Sequence, residues 1–274
     1  ATAIDIHFSV LRCQYAEACR RRDSVQSNIH WTDQISTGGA YLFRHLLRVS
    51  AWTKDSLFAP IHTIRKLSDI LPRCDGVDLI SFDVFDTLLH RTIEPPDLLK
   101  RHAADYASEV FSARGYPVSS ELFMYLRNES EARLRRQSQR GGGDTECKLS
   151  DIIFEVLYRL FDTEIAKLET TNLVEHEVEL EFQHLRVAKG ASELLNVLKS
   201  QGKRVIVTSD TYLELSHLRR IFIGLDLSQY IDEIYLSSEY GLGKYSGRLF
   251  QRILEKEQAD PSKVLHVGDT YDSD

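Results

Sequence analysis

Two aspartates, Asp83 and Asp86, stand directly after the apolar run Val77-Asp78-Leu79-Ile80-Ser81-Phe82. Such a run reads as a buried strand. A carboxylate just past a strand's C-terminal end sits where open α/β sheets do their chemistry. Paired carboxylates can supply a nucleophile and an acid–base partner, so the reading turns on which of the two reacts. Other polar residues follow strand-like segments or sit in the loops beside them: Ser209 and Asp210, Lys244, and Asp269 with Asp274. In a parallel sheet all these ends share one edge, and residues far apart in sequence converge there.

The elements that would hold these residues alternate. Segments 77–83, 203–208, 233–236 and 264–267 read as strands, and 190–201, 213–223 and 246–258 as helices. Alternation at these lengths predicts an α/β fold with a doubly wound, parallel, Rossmann-like sheet. Pro95-Pro96 opens a strongly helical block reaching residue 186, with helices expected at 96–114, 119–139, 148–161 and 164–185. Gly141-Gly142-Gly143 breaks the second from the third, and Ser150 and Asp151 are candidate caps for the third. The block is too long for a crossover and reads as an inserted module over the strand ends. Residues 1–76 read as a helical N-terminal extension, with apolar residues at helix-like spacing over 8–22, 40–58 and 61–71. The expected division is thus an extension at 1–76, an α/β core at 77–94 and 187–274, and a helical module at 95–186.

With 274 residues, the chain is long enough for one large domain, or for a core carrying an insert. A net charge of −7 and no long basic tract argue against a nucleic-acid partner. No apolar run approaches a membrane span, and no signal-peptide pattern is present, which points to a cytoplasmic protein. Cys13, Cys19, Cys74 and Cys147 lack metal-ligand spacing and read as reduced thiols. The start without Met and the stop at Asp274 read as a piece of something longer. A sheet ending at the last strand would leave an unpaired edge, and lower stability than a longer chain is expected for it.

Four motifs in order resemble the haloacid dehalogenase (HAD) superfamily. Phe82-Asp83-Val84-Phe85-Asp86-Thr87-Leu88 matches the first, Val207-Thr208-Ser209-Asp210 the second, Gly243-Lys244-Tyr245-Ser246-Gly247 the third, and Gly268-Asp269 with Asp274 the fourth. The resemblance covers residues 77–274, and the helical insert resembles the C1-type cap that closes over small substrates. Arg91, Pro95, Arg127, Glu131 and Ser209-Asp210-Thr211-Tyr212-Leu213 extend the likeness to a bacterial subgroup found in surface-polysaccharide gene clusters, sometimes fused to glycosyltransferases. On that likeness the chain belongs within a larger glycan-assembly protein.

The resemblance implies roles. Asp83 is the nucleophile and forms an aspartyl-phosphate. Lys244 pairs with it, and Ser209 positions a phosphoryl oxygen. Asp83, the Phe85 backbone carbonyl, Asp269 and Asp274 hold Mg²⁺. The family's usual acid–base aspartate stands two residues after the nucleophile, and here that position is Phe85. Asp86, Asp210 and His90 are candidate substitutes, although in extended backbone Asp86 faces away from the side that position would use. Arg91 and Arg127 are candidates for a second anionic group of the substrate.

The leading expectation is a Mg²⁺-dependent phosphohydrolase acting on a small phosphorylated metabolite, with sugar or polyol phosphates foremost. The rival is a feebly active HAD-like scaffold or regulatory domain, favoured by Phe85. A dehalogenase ranks third, because Gly268-Asp269 keeps a metal end that halide displacement does not need.

Overall fold

Side-chain alternation builds the sheet. The computed structural model describes residues 47–51, 62–64 and 66–269. Within them run β1 (Leu47–Ala51), β2 (His62–Ile64), β3 (Leu79–Phe82), β6 (Arg204–Ser209), β7 (Glu233–Leu236) and β8 (Val264–Gly268). They form one six-stranded sheet in the order β2-β1-β8-β3-β6-β7. The β3, β6, β7 and β8 ladders are parallel, with Leu79 opposite both Arg204 and Val264. Leu79, Ile206, Tyr235 and Val264 point to one face, onto α8 (Arg248–Glu257) through Leu249, Phe250 and Ile253. Ile80, Phe82, Val205, Val207, Leu265 and Val267 point to the other, where α5 (Ala191–Ser200) and α6 (Leu215–Gly224) pack. Helices on both faces of a parallel ladder are the arrangement expected from sequence.

One polar seam crosses this interior. Ser81 Oγ lies 2.8 Å from Thr208 Oγ1 and 2.9 Å from His266 Nδ1, linking three adjacent strands. Each partner is buried, so the seam leaves these polar atoms satisfied.

Four helices fill residues 97–184: α1 (Asp97–Ala113), α2 (Ser120–Arg140), α3 (Leu149–Leu160) and α4 (Thr163–His184). Their bounds match the expected ones to within two residues. Ser119 Oγ accepts from the Leu122 N–H and Asp162 Oδ1 from the Ile165 N–H, opening α2 and α4 with side-chain caps. Helix α3 differs from expectation at its start. Lys148 is its N-cap and makes no side-chain cap bond, so Ser150 and Asp151 already lie inside. A short antiparallel pair that the sequence did not mark, β4 (Leu89–Arg91) with β5 (Leu185–Val187), ties the two ends of the helical block together.

The N-terminal extension departs from the helical reading. Within the segment expected as a helix over 40–58, β1 is a strand that pairs antiparallel with β8, Val49 opposite Val267. Within 61–71 stand β2, antiparallel to β1, and the 3-10 turn Leu67–Arg73. Mixed apolar spacing in short segments does not separate strand from helix, and here a free sheet edge was available to pair with. The unpaired edge expected at β8 is therefore absent, because β1 fills it. The helix expected at 8–22 falls outside the described residues.

The helical block meets the core through ions as well as apolar contacts. Arg127, on α2, is 0% exposed, and its guanidinium pairs with Glu177 of α4 and, at 3.2 Å, with Glu131. It also lies over the Tyr212 ring of the core, 5.3 Å from the centroid. Burial alone would lower the Arg127 pKa, but the Glu177 charge, Tyr212, the Glu177 hydrogen bond and the Glu131 charge together outweigh it and hold the group above its ordinary value. Removing one member of such a pair strands the other charge in a dry site. Arg127→Met should cost about 3–5 kcal/mol in urea unfolding, and adding Glu177→Leu should recover most of it. Equal losses for the single and double variants would show that the pair is not the cause.

Candidate functional site

Register sets the spacing of the site. Phe82 is level with Val207 of β6 and Val267 of β8. Asp83, one residue further, is therefore flanked by Thr208-Ser209 on one side and Gly268-Asp269 on the other. Its backbone N–H still donates into the ladder, to the Val267 carbonyl at 2.8 Å. A rigid strand end thus fixes this carboxylate, while Ser209 is buried at the end of β6.

Lys244 enters from the loop between α7 (Ser237–Tyr240) and α8. Its Nζ donates to Asp83 Oδ1 at 2.9 Å, and both residues are buried, at 3% and 6% exposure. A buried carboxylate and a buried ammonium each need the other's charge. The Lys244 backbone N–H donates in turn to both carboxylate oxygens of Asp210, at 2.9 and 3.0 Å. Asp83, Ser209, Asp210, Lys244 and Asp269 thus share one sheet edge, as expected from sequence. Asp274 lies outside the described residues.

The first loop explains Asp86. The Val84 carbonyl accepts from the Leu88 and Leu89 N–H groups, and the Asp86 N–H donates to the Leu89 carbonyl at 2.7 Å. This tight turn puts Asp86 at φ 58°, in the left-handed region that Asp tolerates better than most residues. Its side chain is 56% exposed and 3.9 Å from His90 Nδ1, itself 43% exposed. Asp86 therefore shapes the loop, and neither it nor His90 is held in the buried part of the site. Asp210 is committed to the Lys244 backbone. The three substitute acids named from sequence thus lose support. The Phe85 ring lies 4.0 Å from the Arg91 guanidinium, a cation–π contact.

The arginines correct a second expectation. Arg91 donates twice to Glu181, both at 3.1 Å, and Arg127 is fully buried between Glu177 and Glu131. Their forks are spent on the protein's own carboxylates: Arg91 ties β4 to α4, and Arg127 ties α2 to α4 within the insert. Isolated spacing could show only that Arg127 and Glu131 are neighbours on a helix; the partners on α4 are distant in sequence.

Sequence reasoning also missed an acidic loop that reaches the site from the insert. Asp144 Oδ2 accepts from the Gly243 N–H at 2.7 Å and from Ser246 Oγ at 2.5 Å, and Oδ1 from Arg248 at 3.2 Å. Glu146 Oε2 accepts from Ser237 Oγ at 2.7 Å, and its side chain is 9% exposed. Burial pushes the Glu146 carboxyl up to about 7; Asp210 and Asp144 add to this, against the Ser237 hydrogen bond and the Arg135 charge. The triple glycine before these residues was the available signal, and it said only that a loop is present.

Over residues 77–274 the chain matches the family described as "Hydrolase: haloacid dehalogenase-like hydrolase". It is 36% identical over 86 residues to the pyrimidine 5'-nucleotidase YjjG of Escherichia coli (strain K12), covering 31% of this chain and 37% of that protein. It is 29% identical over 86 residues to haloacid dehalogenase-like hydrolase domain-containing protein 3 of Mus musculus, covering 31% and 33%. Each match spans only about a third of the relative's length. Among solved structures, a 2-haloacid dehalogenase from Pseudomonas syringae pv. Tomato DC3000 superposes with a TM-score of 0.51 at 18% identity, covering 69% of this chain and 76% of that one. At that identity the likeness is one of fold.

The position of Glu146 makes the docked loop sensitive to pH. Its folded pKa of about 7 stands above the ordinary 4.5, so ionising it costs folding free energy. The stability of the neutral form is fully present below about 4.5 and is lost as pH rises through about 7. Glu146→Gln keeps the acceptor and cannot ionise. At pH 8 it should raise Tm by roughly 4–8 °C, on the order of 2 kcal/mol, and by little at pH 5. An equal shift at both pH values would contradict this.

Proposed function

Because the chain belongs to the haloacid dehalogenase-like hydrolases, we propose that it is a Mg²⁺-dependent phosphohydrolase that forms an aspartyl-phosphate on Asp83. The observation that carries the proposal is the buried Lys244–Asp83 pair at 2.9 Å, on the edge where Ser209 and Asp269 also stand. The name of the partial bacterial relative, a pyrimidine 5'-nucleotidase, supports a phosphomonoester substrate. The motif resemblance supports a small sugar or polyol phosphate, with the helical insert as a cap over it.

The donor set fits a hard cation. Among the described residues no three His, Cys, Asp or Glu side chains converge. Two carboxylates, Asp83 and Asp269, flank the same ladder position, and the Phe85 backbone carbonyl is next along the chain from Val84. One or two carboxylates with substrate oxygens are a usual complement for Mg²⁺. These residues, with Asp274, would hold it. Bound there, the ion would supply positive charge that offsets the repulsion between a phosphate ester and the Asp83 carboxylate.

The rest belongs to the side chains. Lys244 keeps Asp83 ionised and offsets charge growing on the phosphoryl oxygens. The Ser209 hydroxyl donates to one of those oxygens and orients the group. An Asp83 carboxylate oxygen attacks phosphorus in line, and the bond from phosphorus to the leaving oxygen breaks. Water then attacks the aspartyl-phosphate, releasing phosphate and restoring the carboxylate. Phe85 can donate no proton, so the leaving oxygen departs as an anion or takes its proton from solvent. A missing general acid typically costs about 10²–10⁴ in rate. The same residue is what favours the second reading, a feebly active scaffold.

A screen of phosphorylated metabolites with and without Mg²⁺, with Asp83→Asn as control, tests the proposal. Hydrolysis should need both the ion and Asp83. In single-turnover reactions, aryl phosphates, whose leaving groups are stable as anions, should release their leaving group about 10²–10⁴-fold faster than alkyl phosphates, the factor a general acid would otherwise supply. Equal rates of that step would show that another residue serves as the acid, and no turnover on any phosphate ester would favour the scaffold.

A further inference from the structure

The loop that carries Lys244 is gripped from two sides. From the core, Asp210 takes the Lys244 N–H with both carboxylate oxygens. From the helical insert, Asp144 takes the preceding N–H, of Gly243, together with Ser246 Oγ and the Arg248 guanidinium. Ser246 Oγ, its proton directed to Asp144, also lies 3.1 Å from the Gly243 carbonyl oxygen and accepts from the Arg248 N–H at 3.2 Å. One carboxylate from another part of the fold is thus the hub of a knot spanning residues 243–248. The knot ends at Gly247, which takes φ 74° as the N-cap of α8, a conformation glycine adopts without a Cβ penalty.

The approach of the insert is close and specific. The Asp144 N–H donates to the Gly241 carbonyl at 2.8 Å. Next to it, a Cβ on Gly143 would stand 2.9 Å from Ser138 Oγ and 3.0 Å from the Gly241 carbonyl oxygen, so only glycine permits the contact. Glu146, two residues on, adds its bond to Ser237, whose Oγ also accepts the Thr211 N–H beyond β6. Each contact joins the insert loop to a loop at the C-terminal edge of the sheet.

We propose that Asp144 is a positioning residue for Lys244, through which the seating of the helical insert sets the aim of the ammonium at Asp83. Without Asp144, the Gly243 N–H loses its acceptor, Ser246 and Arg248 lose their common partner, and the loop loses this anchor to the insert while keeping the one to Asp210. Lys244 then keeps its charge but not its fixed approach to Asp83. The turnover consequence rests on the phosphohydrolase reading; the loop consequence does not.

Asp144→Ala is tested by hydrogen exchange and by acetylation of Lys244 with acetic anhydride, both read by mass spectrometry on the full chain. Loss of hydrogen bonds to a charged group should speed exchange in peptides over 241–249, and Lys244 acetylation, by about 10- to 100-fold, while peptides of β3 and β6 keep their wild-type rates. Unchanged exchange and labelling at 241–249, or acceleration spread evenly over the chain, would overturn the proposal. If Asp144→Ala fails to fold, Ser246→Ala with Arg248→Ala removes two of its partners. That variant should show the same local acceleration at a smaller size, and no local change would overturn the proposal. On a substrate found by the phosphate screen, Asp144→Ala should lower kcat with KM little moved, and Asp144→Asn should restore part of it; a change in KM alone would overturn the positioning role. If no phosphate is hydrolysed, the phosphohydrolase reading fails, while exchange and labelling still decide the role of Asp144.

Discussion

A carboxylate at the end of a central strand, almost shut off from water, constrains everything around it. Asp83 is 6% exposed and meets Lys244 Nζ at 2.9 Å. Two charges removed from water in this way persist only when geometry and further hydrogen bonds compensate for the lost hydration. The strand ladder fixes one partner and a hydrogen-bonded loop fixes the other. The parallel sheet supplies the edge, the register brings Ser209 and Asp269 alongside, and the lysine loop is anchored by carboxylates from both core and insert. The pair sets a carboxylate and a positive charge side by side before any substrate enters, the kind of preorganisation that makes electrostatic catalysis effective.

The insert shares one apolar cluster with the core, and charged side chains line part of the same junction. Arg127, Arg91 and their glutamates on α4 form a seam against Phe85 and Tyr212. Phe85 thus has a packing role at the position where a proton donor would be expected, with the Arg91 guanidinium over its ring. Through Arg91, which pairs with Glu181 of α4, that ring connects the first loop to the insert.

The strand–helix alternation, the four insert helices and the convergence of Asp83, Ser209, Lys244 and Asp269 were legible because each rests on local signals: an apolar run, a proline or glycine break, a polar residue at a strand end. Three features were not. The segment at 47–51 alternates apolar Leu47, Val49 and Ala51 with polar Arg48 and Ser50, but five residues inside a longer stretch of helix-like spacing do not decide between strand and helix, and its pairing partner, β8, is more than 200 residues away in the chain. Arg127 reads as a surface basic residue until Glu177, distant in sequence, is brought against it. Asp144 and Glu146 follow a glycine-rich break, and nothing local says that this loop docks on Gly243 and Ser237. In each case the missing information is a partner far away in the chain. Asp86 is a different case: alternation suggested that it faces away, and the left-handed turn at φ 58° supplies the physical reason.

Asp83, held by Lys244, is the proposed nucleophile toward phosphorus. Without an acid–base group at Phe85, breakdown of the acyl-phosphate should be slow enough for it to accumulate. The most direct measurement is acid quenching during reaction with an aryl phosphate and Mg²⁺, followed by mass spectrometry of the peptide bearing Asp83. A phosphoryl group on Asp83, absent in Asp83→Asn, is the expected result. An unmodified Asp83 peptide while phosphate is released, or an alkyl ester on Asp83 from a 2-haloacid without metal, would contradict it.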